Sequence, residues 1–526
     1  MLKATRSEEG DSADALLAMA NSSNVIFQRS AALAFLQISD KDNAKIDCKG
    51  LKPLLNLLVS KSDDVRILAL KSLYNFATDD NNARLVVLSG AMVPLISLLM
   101  QPVKFNKRCL NIEAYVQILI ALSLDQNKKI IASSGFLVPL LSLTQSEDAK
   151  LQMGATMVVK ELAQLTENRQ LLVDAGTIPI VVKLLKSSNF EVRISSVVIL
   201  NRIAFDTLRP EILAKIDIGI VTSIIALTAL STSTAKQEAG KAFFCLAHEE
   251  RFQNEIVKRG GLESLQSLLL STDQDVILVS ILSINLISDN PLHQSRVIDG
   301  DFLERLSELL GNVNEQIQER AASTLFRLSH YGELGKAALV NAGVVERARA
   351  LVQSAPPEVQ GLMTILASTL TDSDKLRPRL VPLGILDIFI VCTASQSANA
   401  RGRAMDAINK LLMNLPDCQP FIDTWEAPAG GIHGSLLRFL ESTDESYRKR
   451  ALGGVVLMLK GKSVSLRNLV KNSTKIKAAV KRIAQVSGNA SNGQPKWEMN
   501  HLFNDIGAYN VNAAKSILNI MGENGR

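Results

Sequence analysis

The stretch NRQLLVDAGTIPIVVKLLKSSNFEVRISSVVILNRIA, residues 168–204, decides how this chain is read. A short helix is expected to end near Asp174, a break falls at Gly176, and a second helix runs from about Ile178 to Leu185. Lys186-Ser187-Ser188-Asn189 makes a polar turn, and a longer third helix runs from about Phe190 to Ala204. Glycine suits the break because it adopts positive φ freely where one helix stops and the next sets off at an angle. Val192, Ile194, Val197, Val198, Ile199 and Ile203 give the third helix an apolar face too wide for a lone surface helix. A unit of this size cannot bury that face alone, so stacked neighbours must cover it.

The neighbours are in the sequence. The same glycine recurs at Gly50, Gly90, Gly135, Gly176, Gly219, Gly260, Gly300, Gly343 and Gly384, with an apolar helix after each. The steps are 40, 45, 41, 43, 41, 40, 43 and 41 residues. A period near 41 with three helices per unit is that of the armadillo repeat. The expected fold is therefore all-α: a right-handed armadillo-repeat α-solenoid of about nine to ten repeats. Residues 1–10 read as a flexible leader, 11–486 as the solenoid, and 487–526 as a linker followed by an amphipathic helix. That helix is expected to dock on the last repeat or on a partner. An insertion around residues 100–108 accounts for the 45-residue step.

Composition narrows the function classes. Apolar residues make up 47% of the chain and aromatics only 4%, which suits helices packed through Leu, Ile, Val and Ala. The longest apolar stretches, such as 219–230 and 385–393, fall short of the roughly 20 residues that span a bilayer. The five cysteines form no CxxC pair and read as reduced thiols. The net charge of +6 sits in the last segment: residues 441–526 hold 14 Lys and Arg against 6 Asp and Glu, while the remainder holds 44 against 46. A solenoid basic throughout and built to wrap nucleic acid is thereby excluded.

Few constellations carry chemistry. Gly461-Lys462-Ser463 ends like a phosphate loop, but Val456 stands where that motif needs glycine and a helix precedes it. Cys245 and His248 lie one turn apart without a second pair to complete a metal site, and His293, His330, His433 and His501 read as isolated. No Ser–His–Asp array is expected, so the chain reads as a non-enzyme with no metal and no cofactor. Arg448, Lys449, Arg450, Lys475, Lys477, Lys481 and Arg482 form a candidate patch for acidic lipid; aromatics to stack bases are almost absent there, so nucleic acid is not expected.

What remains is the groove. Third helices stack side by side, so matching positions near their ends form a ladder that includes Asn75, Ala121, Glu161, Arg202, Cys245, Asn285, Arg327 and Lys410. Asn, Glu and Arg in such a row can hydrogen-bond an extended peptide, or they can cap carbonyls at helix ends. The candidate partner groove comprises Asn75, Glu161, Asn201, Arg202, Phe244, Ile284, Asn285, Phe326 and Arg327.

The segments NVIFQRSAALAFLQISDKD, GLKPLLNLLVSKSDDVRILALKSLYNFATDDNN and FIDTWEAPAGGIHGSLLRFL resemble the fungal vacuolar protein 8 family. The likeness covers roughly residues 20–485 and returns weakly at AYNVNAAKSILNIM. It implies a non-enzymatic scaffold on the cytosolic face of the vacuole, with adaptors of inheritance, membrane contact or selective autophagy as partners. Homodimerisation is left open. Two departures follow from the same resemblance. The family is anchored by an acylated N-terminus, whereas this chain starts Met1-Leu2-Lys3 without an acylation motif and is expected to hold membranes weakly. The family's junction-protein site uses three arginines from successive third helices, and the matching positions here are Phe244, Ile284 and Phe326, an expected apolar strip. The alternative is a soluble armadillo adaptor or cofactor of a chaperone or ubiquitin-ligase system. A nuclear-import adaptor would need Trp and Asn ladders, but Trp425 and Trp497 lie outside the third helices.

Overall fold

The computed structural model describes residues 14–41, 44–91, 94–95, 127–485 apart from breaks at 134–135, 206–209, 215, 300, 415–417 and 428–429, and 506–522. Among these residues every regular element is helical. The chain divides into two compact units, Met1–Ser264 and Leu265–Arg526, both made of stacked three-helix repeats. The fold is an all-α armadillo-repeat solenoid. Gly135, Gly300, Ala121, Trp497, His501, the leader at 1–10, the insertion at 100–108 and the linker at 487–495 lie outside the described residues.

The repeat around Gly176 shows how sequence becomes structure. Its first helix is Thr166–Asp174, its second Thr177–Leu184 and its third Phe190–Leu200. Gly176 sits between the first two at φ 83°, ψ 27°, and Asn189 caps the third by accepting the Glu191 N–H. The predicted apolar face is buried in full, Ile203 included. Beyond Leu200 the helix widens into a π-helical turn, Asn201–Phe205. Gly90, Gly260, Gly343 and Gly384 also adopt positive φ. Two of the marker glycines do not. Gly50 lies inside Cys48–Leu58, and Gly219 has φ −61°. In the loosened repeat the left-handed role passes to Gly430, at φ 83°.

A Cβ at Gly176 would meet nothing within 4 Å, so the cost of substitution there is backbone strain alone. Gly176→Val is expected to lower stability by about 1–3 kcal/mol. A thermal or urea melt in which Gly176→Ala and Gly176→Val both match the parent would contradict this.

Within each unit, third helices pack on third helices of the next repeat, and in Leu265–Arg526 second helices also pack on second helices. The fourth residue of a third helix is a recurrent brace: Gln28, Arg66, Arg193, Gln318 and Arg401 each donate to a carbonyl six residues back, at 2.8, 2.6, 3.1, 2.6 and 2.7 Å. These bonds hold the turn between second and third helices, whose carbonyls would otherwise go unpaired. The C-terminal helix Ile506–Ile520 packs on Glu445–Lys460 and Thr474–Gln485, the pairing a third helix makes elsewhere. It buries Ala513, Ala514 and Ile517, and Asn510 Nδ2 donates to the Glu445 carbonyl at 2.9 Å. The amphipathic helix expected to dock on the last repeat or on a partner thus docks on the last repeat, in the place of a third helix.

Candidate functional site

The polar ladder forms, but it is bonded inward. Asn75 Nδ2 donates to Asp40 Oδ1 at 2.6 Å and to Ser39 Oγ at 3.2 Å, at the end of the preceding third helix. Arg202 Nη1 donates to the Lys160 carbonyl at 2.9 Å. Arg327 pairs with Asp289, and Lys410 with Asp372; each aspartate is the C-cap of the third helix one repeat earlier. Glu161 accepts from Gln164 at 2.6 Å and faces the buried Lys128 ammonium at 3.6 Å. In both units, Asn75, Arg202, Arg327 and Lys410, near the ends of their third helices, bond to the end of the third helix before; Glu161 instead pairs with its own helix end and a first helix. These four donors satisfy oxygen acceptors that a stacked helix end leaves over.

Three of the expected groove residues are therefore corrected. Ile284 is 0% exposed and belongs to the core, because the third helix Gln274–Ser288 turns that side inward. Asn285 is buried and donates to Thr324 Oγ1 of the next repeat at 2.9 Å. Asn201, 4% exposed, donates to the Glu238 carbonyl at 2.9 Å and to Glu238 Oε2 at 2.6 Å. These side chains join repeats to one another and do not face a partner.

Phe244 and Phe326 behave differently. Each is half-exposed and packs edge-to-face with the histidine four residues on, His248 at 4.9 Å between centroids and His330 at 4.6 Å. The histidine Nδ1 lies 2.9 Å from the Phe244 carbonyl in one case and 3.0 Å from the Phe326 carbonyl in the other. A carbonyl can only accept, so Nδ1 carries the proton and, in the neutral ring, Nε2 is left as an acceptor. One aromatic pair of this form thus stands in each unit, offering an apolar edge beside a hydrogen-bond acceptor. From sequence, His248 reads as the neighbour of Cys245 and His330 as isolated; the Phe-x-x-x-His spacing, one helical turn, is the signal that finds both pairs.

His433 is not isolated either. Its Nδ1 faces Glu426 Oε1 at 2.8 Å, its Nε2 faces Ser473 Oγ at 2.9 Å, and its ring stacks on Trp425 at 5.2 Å. This is a Ser–His–Glu array, which the sequence reading did not expect. Ser473 Oγ also accepts the Ile476 N–H as a helix cap, so the array fastens the glycine-rich connection to the last repeat. Ser463 likewise caps Val464–Asn472 through the Leu466 N–H, a structural use of the Gly461-Lys462-Ser463 run. Burial pushes the Cys392 thiol up to about 11, leaving it protonated and unreactive.

The basic patch is partly neutralised. Arg448 pairs with Glu445 at 3.4 Å, Arg450 with Asp406 at 3.0 Å and Arg482 with Glu441 at 2.9 Å. Lys449 lies over the Tyr509 ring at 5.0 Å. Lys475 and Lys481 are exposed, and Lys477 is half-buried. No helix among the described residues is long and apolar enough to cross a membrane.

Comparison with known proteins agrees with the repeat. The armadillo/beta-catenin-like repeat family model matches residues 166–204. Vacuolar protein 8 of Schizosaccharomyces pombe is 36% identical over 290 residues, 55% of this chain and 52% of that protein. Vacuolar protein 8 of Yarrowia lipolytica is 35% identical over 243 residues, 46% and 42% respectively. For the Saccharomyces cerevisiae protein the identity is 32% over 237 residues, 45% and 41%. The chain thus matches about half the length of these relatives or less. A crystal structure of an engineered protein from the Northeast Structural Genomics Consortium superposes with TM-score 0.58 at 24% identity, covering 76% of this chain and 98% of that one. That likeness bears on the fold alone.

Proposed function

We propose that this chain, an armadillo-repeat protein that resembles fungal vacuolar protein 8, is a non-enzymatic scaffold that binds extended peptide segments along its third helices. The observation that carries the reading is the pair of half-exposed aromatic edges, Phe244 with His248 and Phe326 with His330. Stacked repeats offer a third-helix edge about every 8–10 Å, and an extended peptide advances roughly 3.3 Å per residue, so matching rungs meet about every third residue. With Asn75, Arg202 and Arg327 bonded to neighbouring helix ends, a ligand gains most from an apolar anchor over one of the phenylalanines and a backbone N–H to the Nε2 beside it. Half-exposed ion pairs such as Arg327–Asp289 contribute little affinity and serve as a polar rim.

The similarity to vacuolar protein 8 supports a place on the cytosolic face of the vacuole and adaptors of inheritance, membrane contact or selective autophagy as ligands. A soluble adaptor serving a chaperone or ubiquitin ligase would use the same surface.

The test is a titration of two peptide classes, one with apolar anchors and one acidic, against the purified chain. The apolar peptide should bind more tightly. Phe244→Ala and Phe326→Ala should each weaken it about tenfold, the loss of roughly 1–2 kcal/mol of buried aromatic surface. Preference for the acidic peptide, unaffected by either substitution, would rule the reading out.

A further inference from the structure

The strongest charge anomaly lies away from the aromatic edges. Residues 446–485 contain eleven Lys and Arg and no Asp or Glu. They form three consecutive helices, Glu445–Lys460 (whose first residue, Glu445, lies just outside that count), Val464–Asn472 and Thr474–Gln485. The structure sorts these cations by type. The arginines are engaged internally: Arg448, Arg450 and Arg482 in ion pairs, and Arg467 on the Gly461 carbonyl at 2.7 Å. The remainder are lysines. Among the described residues Lys462, Lys471 and Lys475 make neither an ion pair nor a side-chain hydrogen bond. Lys462 and Lys475 are exposed, and Val464 beside Lys462 is 61% exposed.

Lys462 precedes the nine-residue helix Val464–Asn472, while Lys471 and Lys475 flank its far end, about 13 Å away at 1.5 Å per residue. The result is a strip with ammonium groups at both ends and an apolar residue between them. Its chemistry selects among anionic partners. Bidentate recognition of a phosphorylated or carboxylate side chain uses guanidinium forks, and those here are already bonded. Stacking of single-stranded bases needs an open aromatic face. The aromatic residue of this stretch, Tyr447, is packed against Phe439 at 4.9 Å and donates its hydroxyl to the Ala398 carbonyl at 2.9 Å. Flexible point charges beside an exposed valine suit a diffuse anionic plane into which a small apolar group can dip.

We propose that the helix Val464–Asn472 and its flanking lysines form a docking surface for a membrane rich in anionic phospholipid, independent of the third-helix peptide surface. Binding by such a strip is reversible and salt-sensitive, because a polybasic surface by itself anchors weakly.

The experiment uses the full chain and vesicles of phosphatidylcholine with or without about a third phosphatidylserine. At low salt the anionic vesicles should retain the chain on the order of ten times better, and high salt should release it. Lys462→Glu, Lys471→Glu and Lys475→Glu together should abolish the difference while leaving the melting temperature unchanged. A control triple, Lys49→Glu, Lys52→Glu and Lys71→Glu, carries the same charge change elsewhere and should bind as the parent does. Equal loss in both triples would mean that net charge and not this strip is responsible, and would overturn the assignment. So would retention by the first triple, absence of any preference for anionic vesicles, or complete displacement by a single-stranded RNA that binds the strip more tightly.

Discussion

Phe389→Ala is expected to destabilise the unit Leu265–Arg526 by about 3–5 kcal/mol. Phe389 lies on the second helix Ile385–Cys392 and has no exposed surface. That helix packs on the second helices before and after it, Val344–Leu351 and Gly431–Leu440, and on the third helices Pro357–Thr371 and Ala398–Asn414. Removing the ring opens a cavity where several helices meet, and four rigid walls cannot all move in to fill it. Nearest-neighbour contacts carry much of a repeat array's stability, so amide protection should fall in both adjoining repeats as well. Urea unfolding followed with hydrogen exchange checks both parts. An unchanged midpoint, or a loss of protection limited to Ile385–Cys392, would contradict the packing described.

Leu185→Ala is expected to cost about 2–5 kcal/mol, towards the lower end. Leu185 is 1% exposed and caps the second helix Thr177–Leu184. It walls a cleft of about 530 Å3 shared with Gly219, Thr222 and Ala226 of the following repeat. An open cleft lets the surroundings and solvent adjust, which reduces the cavity penalty relative to Phe389. The transition of Met1–Ser264 should report the loss, and the transition of the other unit should be unchanged. A cost below about 0.5 kcal/mol, the range of ordinary surface changes, would mean that Leu185 does not join the two repeats.

Much of the fold was legible because its signal is periodic. The spacing of Gly90, Gly176, Gly260, Gly343 and Gly384 marks a backbone requirement, positive φ, that few other residues meet. Gly50 and Gly219 kept the spacing without the conformation, since an ordinary helix start also joins the helices at those places. The C-terminal helix is legible as an amphipathic helix that docks on the last repeat or on a partner, and it does pack on Glu445–Lys460 and Thr474–Gln485; its place in the repeat register is hidden by the linker before it. Site residues were harder to read. Which side of Gln274–Ser288 faces outward differs by one residue between Ile284 and Asn285, and both turn inward. Whether Arg327 meets a ligand or a neighbour depends on Asp289, 38 positions away, which no local pattern reveals. The Phe–His pairs and the contact between His433 and Ser473 arise in the same way, from one turn of helix and from one repeat of separation.

The central claim is that the third helices present the partner-binding surface, with apolar edges as its anchors. The most direct measurement is photo-crosslinking of a bound extended peptide that carries a reactive group at an apolar anchor position, with adducts located by mass spectrometry. Adducts are predicted at the ends of third helices, at or beside Phe244 and His248 in one unit and Phe326 and His330 in the other, and they should be lost when Phe244 and Phe326 are both replaced by alanine. Adducts confined to second helices or to the lysine strip at 462–475, unchanged in that variant, would contradict it.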